Sequence, residues 1–185
     1  RLQNHMILFH GDARTGKTSV ILDEKTEKYF DIEVLGVLYL PDGKQMIRMS
    51  EEDGYMHLYL HSVDGRLIRQ LTTGAFDITD FYGLDERTGT LYFSSTEVSP
   101  LERHFYSLSL DGRRKTKLSN EEGLHEINLS NDFQFYIDHH SNASHPAIAT
   151  LYRTRRNVPL KVLERNEELV KAAHAKGVIA KEFFT

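Results

Sequence analysis

A turn signature that returns at a fixed spacing constrains this chain more than any other feature of its sequence. Asp42, Glu86 and Asn131 each open a turn between two short runs of aliphatic, aromatic and β-branched residues. Successive turns lie about 45 residues apart, the period of a four-stranded propeller blade. The clearest unit runs from Ser50 to Thr72. There Met56, Leu58 and Leu60 alternate with His57, Tyr59 and His61, Asp64-Gly65 supplies a hairpin turn, and Leu67, Ile68 and Leu71 return. The Asp64-Gly65-Arg66 turn is repeated at Asp111-Gly112-Arg113.

Laid out on that period, the chain divides into repeats. The first full one spans Val37 to Thr73, with strands at Val37 to Leu40 and Gln45 to Ser50 followed by the hairpin, and Pro41-Asp42-Gly43-Lys44 as a turn. The second places strands at Ile78 to Leu84, Thr90 to Ser95, His104 to Leu110 and Lys115 to Leu118. The third uses Glu126 to Leu129, Gln134 to Asp138, Ala147 to Tyr152 and Leu160 to Leu163, and His5 to His10 opens a leading half-repeat. The fold expected is therefore all-β: a partial β-propeller of about three and a half four-stranded antiparallel blades over residues 1–165. Residues 166–185 read differently. Asn166 stands as an N-cap, Glu167 and Glu168 follow in the first turn, and Gly177 closes, which predicts a short C-terminal helix and then a strand or linker.

Composition narrows the partners. The 185 residues are 39% hydrophobic and 27% charged with a net charge of -4, which suits a soluble globular unit and gives no reason to expect nucleic acid or an anionic membrane surface. Cysteine is absent, so there is neither a disulfide framework nor a thiolate metal site. No apolar run approaches the roughly 18 residues of a membrane span. The chain starts at Arg1 with neither an initiator Met nor a signal peptide, and reads as a piece of a longer protein.

One motif competes with the array. Gly11-Asp12-Ala13-Arg14-Thr15-Gly16-Lys17-Thr18 satisfies the phosphate-cradling pattern in which backbone amides hold phosphates, Lys17 would reach the terminal ones and Thr18 would bind magnesium. Such a loop needs a long amphipathic helix after it. A helix from Thr18 to Tyr29 would cluster Val20, Ile21, Leu22, Tyr29 and Phe30 at its two ends instead of along a stripe, so a hairpin turn at Arg14 to Lys17 fits better. The nucleotide-binding alternative, using Gly11 to Thr18, stands beside a second one, a free-standing propeller scaffold for protein partners.

Several ordered segments carry a resemblance. Ser50-Glu51-Glu52-Asp53-Gly54-Tyr55-Met56-His57-Leu58-Tyr59, Arg69-Gln70-Leu71-Thr72-Thr73-Gly74, Leu91-Tyr92-Phe93, Pro100-Leu101-Glu102-Arg103-His104-Phe105-Tyr106 and Lys161-Val162-Leu163-Glu164 resemble the C-terminal part of the N-terminal propeller domain of the dipeptidyl peptidase IV family. The likeness runs in order through nearly the whole chain and includes Lys181-Glu182-Phe183-Phe184-Thr185. It implies a propeller followed by an α/β-hydrolase domain with a Ser-Asp-His triad that removes dipeptides, or tripeptides, after proline. It also implies peptide substrates with proline near the N-terminus, a periplasmic or cell-surface location, and a segment that gates access and docks its own hydrolase domain.

No catalytic, cofactor-binding or metal-binding residue is assigned from the sequence. No Ser lies in a G-x-S-x-G elbow, so the triad is expected outside this chain. The family anchors the substrate amine with an acidic pair on a helical insertion. Glu51-Glu52, Glu121-Glu122 and Glu167-Glu168 lie respectively in a Ser-Glu-x-Asp-Gly-Tyr loop, an inter-blade loop and a helix start, and none matches that insertion. His139, His140 and His145 lack the spacing of three ligands on one element, and a polar strand end with its loop explains them. Asn142-Ala143-Ser144 fits the glycosylation acceptor pattern. The apolar faces of the end blades, with Ile7, Phe9 and Val20 at one end and Ile148, Leu151, Leu160 and Val162 at the other, lead us to expect self-association.

Overall fold

In the first two full blades the central strands are buried on both faces and the last strands are left in solvent, while the central strands of the third are only partly buried. The computed structural model describes residues 3–27, 29 and 36–177. Strands β1 (His5–Gly11) and β2 (Thr18–Lys25) pair antiparallel. Next come β3 (Val37–Tyr39), β4 (Gln45–Ser50), β5 (His57–Ser62) and β6 (Leu67–Gln70), then β7 (Ile78–Asp85), β8 (Thr90–Ser95), β9 (His104–Ser109) and β10 (Lys115–Lys117). The last set is β11 (Leu124–Leu129), β12 (Phe135–Ser141), β13 (Ile148–Arg153) and β14 (Val158–Glu164), followed by helix α1 (Glu167–Ala175). Each set of four forms one antiparallel meander in sequence order. The leading half-blade and the predicted blades are all present, and β2 is a strand where the nucleotide reading required a helix.

The chain divides into two compact units, Arg1–Thr73 and Gly74–Thr185. In the first, Met46, Ile47, Leu58, Tyr59 and Leu60 are buried in β4 and β5, whereas Leu67 and Ile68 of the outer strand β6 are exposed. At about 2 kcal/mol for each large apolar side chain removed from water, the two central strands supply most of this blade's hydrophobic stabilisation. The half-blade closes on the hairpin turn of the full blade at Gly65. A Cβ there would sit 1.6 Å from the Ile21 carbonyl oxygen, and φ is +92°, so only glycine is tolerated.

In the second unit one apolar cluster joins both sheets: Tyr92, Phe105, Leu118, Ile127 and Tyr136, with Tyr82, Leu129, Phe133 and Tyr152 packed against it. Phe105 stacks on Tyr92 at 5.9 Å and meets Tyr136 edge-on at 5.0 Å, geometries that aromatic quadrupoles favour. The two sheets also touch through backbone. Arg103 N–H donates to the Gly123 carbonyl (3.1 Å) and His125 N–H to the Arg103 carbonyl (3.0 Å). Asn157 stitches them again, its Nδ2 donating to the Leu118 carbonyl (2.6 Å) and its Oδ1 accepting from the Tyr136 hydroxyl (2.5 Å).

The C-terminal part departs from expectation in two places. Where the first two full blades carry an Asp-Gly turn, β13 and β14 are joined by a turn of 3-10 helix at Thr154–Arg156 that ends on Asn157 in the left-handed conformation. This lengthens β14 to begin at Val158 and puts Pro159 in an edge strand, where its missing N–H costs no ladder bond. At α1, Asn166 holds the N-cap position but does not cap. Its φ is +53°, and its Nδ2 donates to the Ala147 carbonyl instead (2.6 Å). The segment expected over Val178 to Thr185 lies outside the described residues.

Candidate functional site

The octet Gly11 to Thr18 is a hairpin turn between β1 and β2. Asp12 takes the amides that a phosphate would need: its Oδ1 accepts from Arg14 N–H (2.8 Å) and Thr15 N–H (3.2 Å), and its carbonyl accepts from Gly16 N–H (2.8 Å). The same amides pull the Asp12 carboxyl below the usual range. With β2 a strand, this loop does not open a helix, and the nucleotide reading is corrected.

The most concentrated charge in the first unit surrounds Arg48, which is 2% exposed and lies in β4 among Met46, Ile47 and Met49. Its guanidinium donates to Glu24 of β2 through two nitrogens, to Glu52 Oε2 at 3.0 Å and to Ser50 Oγ at 3.1 Å. His61 completes the set. Its Nδ1–H donates to the Gly65 carbonyl (3.0 Å), which leaves Nε2 free to accept from Arg48 Nε (3.4 Å). A fully buried guanidinium requires such fork-shaped pairing. Beside it opens a cavity of about 630 Å³, lined by Asp23, Glu24, Lys25, Thr26, Tyr29, Ser50, Glu51, Glu52 and Gly54. Glu52 is thus committed to Arg48 although partly solvated, and Glu51 is turned to solvent. Sequence reasoning missed Arg48, although a lone Arg in an otherwise apolar strand is the signal for a buried ion cluster.

Histidines organise the blades more regularly than the sequence suggested. His57 opens β5, and its Nδ1 meets Thr72 Oγ1 at 3.1 Å, while Thr72 Oγ1 accepts from Leu58 N–H (3.0 Å). His104 opens β9 and does the same with Ser119 (2.8 Å), whose Oγ accepts from Phe105 N–H (3.0 Å). In both blades the hydroxyl therefore fastens the start of the third strand to the second residue after the fourth. His104 Nε2 also faces Glu102 Oε2 at 2.8 Å, and Glu102 sits below the usual carboxylate range chiefly through that bond.

At the junction of the two sheets in the second unit the rings form a column. His104 packs against His125 at 5.2 Å, His125 stacks on His140 at 4.6 Å, and His140 meets His145 at 5.1 Å. Their nitrogens turn outward to separate partners. His140 Nε2 reaches the Glu122 carbonyl (2.9 Å), His125 Nε2 the Glu121 carbonyl (2.9 Å), and His145 Nδ1 the Pro146 carbonyl (3.0 Å). Among the described residues no three His, Asp or Glu side chains converge as a metal site. Glu121-Glu122 thus serve the fold through their backbone. Glu167-Glu168 occupy the first turn of α1, where Glu168 pairs with Lys171 at 2.9 Å on the surface. Asn142 is exposed in a turn, its Oδ1 accepting from Ser144 N–H (2.8 Å).

Four-stranded antiparallel meanders, the two of the second unit packed against each other through one apolar cluster, define a segment of a β-propeller. Comparison with known proteins then gives the family. The family model described as the dipeptidyl peptidase IV (DPP IV) N-terminal region matches residues 1–147, and the chain belongs to that family. A probable dipeptidyl peptidase 4 from Arthroderma benhamiae is 30% identical over 162 residues, covering 83% of this chain and 21% of the relative. Another from Emericella nidulans is 26% identical over 181 residues, covering 92% of this chain and 23% of the relative. Among solved structures, dipeptidyl peptidase 4 from Porphyromonas gingivalis superposes with a TM-score of 0.81 and 31% identity, over 91% of this chain and 24% of that one. A putative dipeptidyl aminopeptidase IV from Bacteroides ovatus, at 23% identity and a TM-score of 0.72 over 88% of this chain and 26% of that one, shares the fold. The chain spans about a fifth of the length of the curated relatives it matches, 21% in the first case.

Proposed function

We propose that this chain is a segment of the propeller domain of a serine exopeptidase that releases dipeptides, or tripeptides, after proline from free N-termini. The observation that carries the reading is the family match over residues 1–147, joined to 31% identity with a dipeptidyl peptidase 4 over 91% of the chain. Residues 1–165 are the propeller portion, and residues 166–185 lead towards an α/β-hydrolase domain that holds the triad. Within the parent the segment walls the cavity, restricts entry to short peptide ends and docks the hydrolase domain. Glu52 and Glu24 hold Arg48, so their carboxylates build the blade and do not anchor a substrate amine.

The compartment we propose is the periplasm or cell surface, supported by the resemblance alone. We also propose that the isolated chain self-associates. Phe9 and Val20 of the half-blade are 56% and 51% exposed and Leu160 of β14 is 44% exposed, enough apolar surface on strand faces to favour association. Light scattering at micromolar concentration tests this: oligomers are expected, and a stable monomer contradicts it. For the enzyme itself, the coding sequence past Thr185 is expected to contain a G-x-S-x-G elbow whose Ser is labelled by a fluorophosphonate in the parent protein. A parent without that elbow, or one that resists the label, overturns the reading.

A further inference from the structure

On the side of the second unit where β7 turns into β8 and β13 into β14, a groove of about 930 Å³ is lined by Arg87, Arg153, Arg155 and Arg156 along with Thr88, Thr90, Tyr92, Thr116, Phe133, Phe135 and Asn157. Its one acidic wall residue, Asp85, is already used: Arg87 Nε donates to it at 3.2 Å, and Arg87 Nη2 donates to the Asp132 carbonyl at 2.7 Å. Arg153, Arg155 and Arg156 are exposed, and none of them has a carboxylate partner among the described residues. Arg153 instead lies over the Phe135 ring at 5.9 Å. Three unneutralised guanidinium groups on one five-residue turn stand out in a chain whose net charge is -4. They make a local positive field that the rest of the groove does not cancel.

Two further observations separate this groove from an ordinary solvated turn. Phe133 has φ +57°, a conformation costly for a bulky side chain. The corresponding turn of the first blade places Gly43 there, at φ +63°, with Asp42 Oδ1 accepting from Lys44 N–H (2.8 Å) as Asp132 Oδ1 accepts from Gln134 N–H (3.1 Å). The blade thus carries a strained aromatic where glycine suffices, and its ring is stacked on Tyr92 at 5.8 Å on the floor of the groove. Backbone strain of this kind is held by the surrounding structure and concentrates at binding sites. The second observation is Thr154, in the same wall between Arg153 and Arg155. It is 5% exposed, and its hydroxyl has no hydrogen-bond partner in the structure.

We infer that this groove binds a multiply charged oxyanion ligand, a phosphate or sulfate ester, with Arg153, Arg155 and Arg156 as the pairing groups and the Phe133–Tyr92 stack as its floor. Planar guanidinium forks match tetrahedral oxyanions in two-point hydrogen bonds, and removal of water by the aromatic floor strengthens each pairing. The site requires nothing of the peptidase chemistry and lies wholly within residues 74–185.

Inositol hexakisphosphate and sucrose octasulfate are the probes, titrated against the 185-residue chain by NMR and thermal melting. A saturable response is expected, with amide shifts centred on residues 153–157 and 133, a melting temperature raised by several degrees and an affinity that falls as salt is added. The probe that binds more tightly identifies the ester. Arg155→Ala/Arg156→Ala should weaken binding at least tenfold, whereas Arg14→Ala/Lys17→Ala, an equal loss of charge in the other unit, should leave it unchanged. Shifts spread over all basic residues, no saturation at millimolar probe, or equal weakening by both variants would overturn the assignment.

Discussion

His125 Nδ1 lies 2.8 Å from Asp138 Oδ2 while the other ring nitrogen of His125 lies 2.9 Å from the Glu121 carbonyl. A carbonyl and a carboxylate both accept, so these two partners favour the imidazolium form, with a proton on each nitrogen. Burial opposes the charge, but the hydrogen bond and the negative charge of Asp138 outweigh it, and the His125 pKa is raised. Its neighbour is the reverse case. His104 accepts from Ser119 and donates to Glu102 as a neutral ring, and burial foremost pushes its pKa down despite the Glu102 bond. Lys117 and the charge of His125 push in the same direction.

The signs fix a stability profile. A raised His125 contributes fully below the unfolded value of about 6.5 and loses that contribution as pH rises through its folded pKa; a depressed His104 contributes fully above about 6.5 and loses it as pH falls. The second unit should therefore be most stable near pH 6.5 as far as this pair is concerned. Urea unfolding between pH 5 and 8 checks it. His125→Gln should flatten the alkaline limb and His104→Gln the acid limb, and a profile unchanged by either variant would refute the proton assignment.

Much of this fold was legible in the sequence because propeller blades repeat their turns. The Asp-Gly signals at Asp64 and Asp111 and the alternation of Leu58 and Leu60 with Tyr59 gave the strands of the first two full blades to within a residue or two, while β12 runs three residues further than expected, to Ser141. What stayed hidden was pairing at a distance. His57 with Thr72 and His104 with Ser119 are each separated by the same interval in successive repeats, yet neither residue type announces a bond across a blade. Asn166 looked like a cap from its neighbours Glu167 and Glu168, but its left-handed backbone, with Nδ2 tied to the Ala147 carbonyl, turns the side chain away from the capping geometry. The 3-10 turn at Thr154 was unreadable because Asn157, and no glycine, supplies its left-handed residue.

The two hydroxyl staples should be equivalent and independent. Ser119→Ala strands the His104 Nδ1 and the Phe105 N–H, and Thr72→Val strands the His57 Nδ1 and the Leu58 N–H, all in buried positions. Each variant is expected to cost about 2 kcal/mol, the penalty for leaving buried groups unpaired. The pairs lie in separate compact units, so urea unfolding of the double variant should give the sum of the two losses.

Arg48 should be the most sensitive charged residue of the first unit. Arg48→Met keeps the volume but leaves Glu24 and Glu52 facing each other without their cation. Glu52 is partly solvated at 36% exposure, which softens the loss, so the expected cost is about 3 kcal/mol, the low end for a broken buried pair. Adding Glu24→Gln to Arg48→Met should recover part of that stability. A pair of variants whose losses simply add would show that Arg48 and Glu24 do not act as a unit.

The central proposal, that this propeller segment belongs to a peptidase whose catalytic residues lie on another domain, is tested most directly by turnover of a Gly-Pro chromogenic amide. The parent protein should cleave it and lose that activity to a serine-directed inhibitor, while the purified 185-residue chain, without nucleophile elbow or triad, should stay at background. Inhibitor-sensitive turnover by the isolated chain that survives repurification, or a parent that leaves the amide intact, would contradict the account.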